Sequence, residues 1–303
     1  MKPDLPPALI ASPPSGFPVW WAAIRPRTLT ISATPVLVGT ALAVAQGAGL
    51  AWLPMLAALC CAVLIQVGTN LHNDAADYER GNDQADRIGP LRVTAAGWAS
   101  AAVVRRASAM SFVAALVLGS YLVYVGGWQI LAIGLASILA GWAYSGGVRP
   151  ISHTALGEIF VLAFFGILAV GGSAWLQGAA VGWATLLSGV LVGLPAAAVL
   201  LVNNYRDLDS DLRAGRRTLA AVLGRSRSRV LFAAIMLLPY GVLLLLATDY
   251  RGVWLGFLAL PLAVQPIRTL WTIGVGPELN LLLAATARSG FVLGMLAAVG
   301  FLA

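Results

Sequence analysis

Charged residues are scarce in this chain of 303 residues: Asp, Glu, Lys and Arg together make up 10%, against about 25% in an ordinary soluble domain. So few charges cannot clothe a soluble surface, and a soluble core cannot absorb a chain that is 59% hydrophobic. Cysteine is scarcer still. Cys60 and Cys61 are the only two, and their adjacency excludes an ordinary disulfide. Neither has a Cys or His partner at ligand spacing, which excludes a thiolate metal site, so both read as packing residues. Acidic residues number 12 against 19 basic ones, leaving a net charge of +7. That excess could point to nucleic acid, but membrane orientation and anionic ligands account for it, and no nucleic-acid partner is expected.

What is abundant is apolar sequence in blocks near 20 residues, the length a helix needs to cross roughly 30 Å of hydrocarbon. Nine spans are expected, at about 28–47, 51–74, 99–124, 128–146, 155–176, 180–203, 229–248, 252–272 and 281–302. The fold class is therefore all-α, a polytopic membrane protein with a single transmembrane domain over 25–303. Residues 1–24 are rich in proline and read as an irregular tail without the apolar run of a secretory signal. When the connections are assigned alternately to the two sides, every basic residue except Arg251 falls on one side. The positive-inside rule makes that side cytoplasmic, with the amino terminus inside and the carboxyl terminus outside.

Eight of the 12 acidic residues lie in two short segments at the cytoplasmic ends of the second and sixth spans. The first holds Asp74, Asp77, Glu79, Asp83 and Asp86, and the second Asp207, Asp209 and Asp211. Loop carboxylates of this kind can be merely solvated or balance local arginines. Two features argue for more. The segments echo each other, Asn73-Asp74-Ala75-Ala76-Asp77 against Asn203-Asn204-Tyr205-Arg206-Asp207, and each is followed by glycine, arginine and threonine. The helical spacing also gathers oxygen ligands, with Asn70, Asp74 and Asp77 on one stripe, Asn73 and Asp77 on another, and Asp207 and Asp211 on a third. Hard oxygen donors suit Mg²⁺, which takes one or two carboxylates and completes its octahedron with water and substrate phosphates. His72 neighbours the first cluster but points to another helix face.

Arg87, Arg92, Arg149, Arg206, Arg213, Arg216 and Arg217 share the side of the carboxylates, and guanidinium groups grip phosphate oxygens in a bidentate fork. Each alone could be a positive-inside residue. Beside metal-type carboxylates they make a diphosphate site the better reading. Glu158, at the start of the fifth span, reads as paired with an arginine or placed at a helix amino terminus. A transporter is the alternative from another class, since nine spans and a weak repeat occur there too. Its translocation path would need ionisable residues at mid-depth, and few lie there.

These residues resemble the UbiA superfamily of intramembrane prenyltransferases, a nine-helix fold carrying Asn-x-x-x-Asp-x-x-x-Asp after the second helix and Asp-x-x-x-Asp after the sixth. Asn73 and Asp77 match the first motif, and Asp207 and Asp211 match the second in full. Gly81 stands at the third position of the first motif, as it does in the branch that prenylates 1,4-dihydroxy-2-naphthoate in menaquinone synthesis. That branch is similar also at Arg25-Pro26-Arg27-Thr28-Leu29, at Asp86-Arg87-Ile88-Gly89-Pro90-Leu91-Arg92-Val93-Thr94, at Tyr144-Ser145-Gly146-Gly147 and from Asn203 to Ala220. One departure is Arg216, where the branch has lysine.

The resemblance implies a polyprenyl diphosphate donor, an aromatic acceptor and Mg²⁺, in a bilayer that supplies both solvent and substrate store. It implies Asp77, Asp207 and Asp211 as catalytic carboxylates, with Asn73, Asp74 and Asp83 helping to hold the metal. Arg87, Arg92, Arg149, Arg206 and Arg216 would neutralise the diphosphate. Asn70, Tyr144, Asn203 and Tyr205 would border the substrate, the tyrosines offering π faces to an allylic cation. Phytyl transfer, or prenylation of another quinone precursor, fits the same scaffold. No protein partner is implied.

Overall fold

The computed structural model describes residues 14–81 and 88–303. Asp83, Asp86 and Arg87 of the expected site lie outside the described residues, as do residues 1–13 of the expected tail. The rest of that tail is not irregular throughout. Phe17–Ile24 forms a short helix, α1, with Pro18 in its first turn, where proline's missing N–H costs nothing. Val19 and Ala23 bury its inner face against Leu71, Ala75, Val93 and Val104.

Nine helices among the described residues are long and apolar enough to cross a membrane. They are α2 (Pro26–Ala45), α3 (Trp52–Glu79), α4 (Ala101–Gly126), α5 (Trp128–Ser145), α6 (Gly157–Leu176), α7 (Trp183–Arg206), α9 (Leu219–Leu246), α10 (Arg251–Thr272) and α11 (Glu278–Leu302), with the short α8 (Leu208–Arg213) between α7 and α9. Two boundaries differ materially from the apolar blocks. Helix α3 runs past residue 74 to Glu79, so Asp74 and Asp77 stand on a helix and not in a loop. Helix α9 begins at Leu219, capped by Thr218, whose Oγ1 accepts from Ala221 N at 3.4 Å. It kinks at Gly224, whose φ of 72° a β-carbon would resist. The run of arginines hid this early start from a hydropathy reading.

Lipid is as apolar as leucine, so helices in a bilayer associate through close packing and small residues. Helix α7 is the most enclosed and packs on α6, α9 and α11, while α2 packs on α3, α6 and α11. Gly166 of α6 meets Gly189 and Gly193 of α7 so closely that a Cβ on Gly193 would lie 2.9 Å from the Gly166 Cα. Around that contact, Leu162–Leu168 adopts a π-helical turn, a widening often found at functional sites. Helices α3 and α4 form a second packed pair, with α5 against both. Between this pair-plus-one and the α6–α7 wall lies an internal cavity.

Candidate active site

The two acidic segments sit at the same end of the bundle because α3 and α7 both run toward it. Asp77, 4% exposed, is gripped from two sides: Arg92 Nη2 lies 2.5 Å from its Oδ2 and Arg216 Nη2 lies 2.7 Å from its Oδ1. Arg216 Nη1 reaches Asp211 Oδ1 at 3.4 Å. One guanidinium therefore ties together carboxylates from the two halves of the chain. Thr218 Oγ1 donates to Asp211 Oδ2 at 3.4 Å. Burial pushes the Asp211 carboxyl up to about 6; Arg216 pulls it down, whereas the Asp207 and Asp77 carboxylates raise it further. Three carboxylates within electrostatic reach of one another make a strongly negative corner, offset by Arg92 and Arg216.

Several expected site residues turn out to have other work. Asp74 is almost fully buried, and both its oxygens are taken: Val93 N and Thr94 N donate at 3.1 Å each, and Thr94 Oγ1 donates as well. It straps residues 92–94 over α3 and so is not placed as a metal ligand. That strap presents Arg92, whose Nη1 also donates to Asn73 O at 2.6 Å. Arg206 is not exposed to a phosphate. Its buried guanidinium donates to both Asp207 oxygens at 2.8 and 2.7 Å, and to Asn203 Oδ1 and Asn280 Oδ1 at 2.8 Å each. Tyr205 faces away from the internal space, with Arg225 5.1 Å above its ring and Arg229 Nε donating to its hydroxyl at 2.9 Å. Arg149 is exposed in the loop after α5 and makes no ion pair among the described residues. Among the described residues Glu158 pairs with no arginine; it lies in the first turn of α6 and accepts from Asn204 Nδ2 at 2.9 Å. His72 stacks on Trp142 at 6.2 Å.

Below the acidic corner opens a cavity of ≈ 330 Å³ between α2, α3, α5, α6 and α7. Asn70, Asn203 and Tyr144, expected at the substrate, line it, as does Asn73, expected at the metal. Asn73 and Asn203 each precede a cluster aspartate by four residues, one helical turn. Further from that end the walls are apolar, with Phe160, Phe164, Phe165 and Leu168 from the widened part of α6 facing Ile133 and Gly134 of α5. The Phe160 and Phe164 rings stack at 5.9 Å. Arg25, Thr28 and Gln66 also line the cavity, and the motif spacing did not single them out as site residues. Gln66 was accessible to reasoning: a polar side chain inside an apolar span, four residues before Asn70, extends the Asn70–Asp77 stripe. The phenylalanines had no such signal.

Among the described residues, no three His, Cys, Asp or Glu side chains form a metal cage by themselves. The donor set still suits a hard cation: Asp77, Asp207 and Asp211 with the Asn73 amide offer oxygen only, few enough to leave positions for phosphate and water. An apolar, aromatic-walled cavity capped by carboxylates and arginines is chemically suited to a long apolar substrate with an anionic head.

Comparison with known proteins agrees. The pattern of the UbiA prenyltransferase family matches residues 32–277. The chain is 36% identical to a 1,4-dihydroxy-2-naphthoate octaprenyltransferase of Mycobacterium tuberculosis, covering 84% of this chain and 88% of that protein. It is 37% identical to the protein of that name from Escherichia coli, covering 82% and 83%, and 30% identical to the one from Bacillus subtilis, covering 94% and 92%. Among solved structures, a UbiA homolog from Archaeoglobus fulgidus bound to DMAPP and Mg²⁺ superposes with a TM-score of 0.64 at 15% identity, covering 91% of this chain and 99% of that one. This chain is an integral membrane protein of the UbiA prenyltransferase family.

Proposed function

We propose that the protein transfers a polyprenyl group from a polyprenyl diphosphate to 1,4-dihydroxy-2-naphthoate, releasing diphosphate and CO₂. The observation that carries the chemistry is the Asp77–Arg216–Asp211 bridge, with ion-pair distances of 2.7 and 3.4 Å, standing over the apolar cavity. The choice of acceptor is supported by the relatives, which share that name at 30–37% identity across several bacteria.

Asp77, Asp207 and Asp211, with Asn73, are the residues to hold Mg²⁺. Bound there, the ion supplies positive charge to the leaving diphosphate. Arg92 and Arg216 lie beside the same carboxylates and can turn guanidinium N–H groups toward phosphate oxygens, spreading charge as the allylic C–O bond breaks and the diphosphate departs with the electron pair. The apolar walls of the cavity disfavour water, which would trap the allylic cation as an alcohol. Tyr144, Phe160 and Phe164 offer π faces to that cation. The ring carbon of the naphthoate forms the new C–C bond, and the pair from the breaking C–CO₂ bond restores aromaticity. The Arg-rich connections support a cytoplasmic acidic corner with the amino terminus inside, by the positive-inside rule.

Purified protein in lipid nanodiscs, given Mg²⁺, a long-chain polyprenyl diphosphate and the naphthoate, should yield a prenylated naphthoquinol lighter than the sum of its parts by diphosphate and CO₂. A product retaining the carboxylate, or no product, would overturn the assignment.

A further inference from the structure

Helix α9 carries two arginines, one turn apart, on the side of Tyr205. Arg225 is matched: its Nη1 donates to Tyr205 O at 3.0 Å and its Nη2 to Asp209 Oδ2 at 2.8 Å. Arg229 is held in place but not neutralised. Its Nε donates to the Tyr205 hydroxyl at 2.9 Å, and its guanidinium carbon lies 5.8 Å from the Tyr205 ring centroid and 6.0 Å from that of Trp271. Among the described residues Arg229 makes no ion pair, and its two Nη groups are not sealed away from the surroundings. A guanidinium seated against two ring faces, with its Nε edge occupied and its Nη edge open, is fixed before any anion reaches it.

More positive charge stands beside it. Arg268 precedes Trp271 by three residues on α10, so the two share a helix face, and α10 packs on α9. Arg268 is exposed, and its side chain makes no ion pair or hydrogen bond among the described residues. Glu278, in the first turn of α11, pairs with neither Arg229 nor Arg268.

The surroundings indicate what kind of anion fits. Trp271 is 50% exposed at the end of a membrane-spanning helix, the level at which indole rings sit among lipid headgroups. Further along, the exposed residues are apolar: Val230, Leu237 and Leu238 on α9 and Leu258 on α10. A soluble anion would cover only the arginines. A phospholipid covers both parts, with its phosphate at the arginines and its acyl chains along the apolar faces.

We propose that Arg229, Arg268 and Trp271 form a headgroup site for an anionic phospholipid of the surrounding bilayer. The phosphate accepts from the open Nη edge of Arg229 and from Arg268, and the net negative charge of the headgroup meets two cations that no carboxylate offsets. The site lies outside the substrate cavity and does not depend on the prenyl transfer proposed above.

The test titrates detergent-solubilised protein with phosphatidylglycerol, or with phosphatidylcholine of the same chains, and counts bound lipid by native mass spectrometry. Wild type should hold phosphatidylglycerol more tightly than phosphatidylcholine. Arg229→Gln and Arg268→Gln should each weaken phosphatidylglycerol by about fivefold, the scale of one arginine at a membrane surface. Arg229→Lys should keep part of the affinity. Arg106→Gln, an exposed arginine on α4, removes the same charge elsewhere and should change nothing. Because the Arg268 side chain holds no other group, its loss cannot be ascribed to misfolding. Unchanged phosphatidylglycerol affinity in both Arg229→Gln and Arg268→Gln would overturn the proposal. An equal loss in Arg106→Gln would also overturn it, leaving only diffuse surface charge. So would phosphatidylcholine bound as tightly as phosphatidylglycerol, or inorganic phosphate matching the lipid in affinity as a competitor.

Discussion

Asp77→Asn is the most informative single change, because it keeps the shape of the side chain and removes its charge. Asp77 is 4% exposed and accepts from Arg92 at 2.5 Å and from Arg216 at 2.7 Å. Breaking a buried pair costs about 3–5 kcal/mol when the remaining charge is stranded. Here neither arginine is stranded. Arg216 retains Asp211 at 3.4 Å, and Arg92 retains Asn73 O at 2.6 Å. The stability loss should therefore fall at or below about 3 kcal/mol, leaving the protein folded and inserted. Activity should fall much further, by about a hundredfold or more in kcat/KM, equivalent to about 2.7 kcal/mol of transition-state stabilisation. Asp211→Asn should lose a similar amount. If the two carboxylates act as one unit through Arg216, the double variant should lose little more than either single one, where independent sites would give about ten-thousandfold. The assay is prenylated product formed per minute in nanodiscs, read beside thermal unfolding of each variant. A double variant whose loss equals the product of the two single losses would refute the shared site, as would near-normal turnover in either single variant.

A chelator should abolish turnover and Mg²⁺ should restore it, while Asp249→Ala, on the opposite face, should change nothing; full activity without divalent metal would contradict the assignment of Asp77, Asp207 and Asp211. Asp74→Asn should cost about 1–3 kcal/mol of stability by loosening the strap at Val93 and Thr94, measured by thermal unfolding, with Arg92 misplaced and turnover reduced. Tyr205→Phe should leave KM for both substrates unaltered, because that ring faces Arg225 and Arg229 instead of the cavity; a raised KM would return Tyr205 to the substrate pocket. Cysteines at Val148 and Asp209, in a background lacking Cys60 and Cys61, should react with an impermeant reagent only from the cytoplasmic side, and one at Asp249 only from outside.

Hydropathy along the chain was sufficient for the nine crossings, because lipid is a uniform solvent and the demand for about 20 apolar residues is local. Motif spacing pairs Asn73 with Asp77 and Asp207 with Asp211, because residues four apart share a helix face whatever surrounds it. Neither determines what a face meets. Asp74 and Asp77 belong to the same stripe of α3, yet one straps a loop and the other meets two arginines, and that difference was set by where residues 92–94 and Arg216 arrive. Arg206 and Tyr205 carry good chemistry in one dimension and lost their expected roles to Asn280, Arg225 and Arg229, partners from α11 and α9. The start of α9 at Leu219 was concealed because arginines depress hydropathy without opposing helix formation. The left-handed backbone at Arg25, the widened turn at Leu162–Leu168 and the bridge from Asp77 through Arg216, 139 residues further along the chain, to Asp211 exist only in three dimensions. Each depends on contacts between segments distant in the chain, and local propensity carries no record of those.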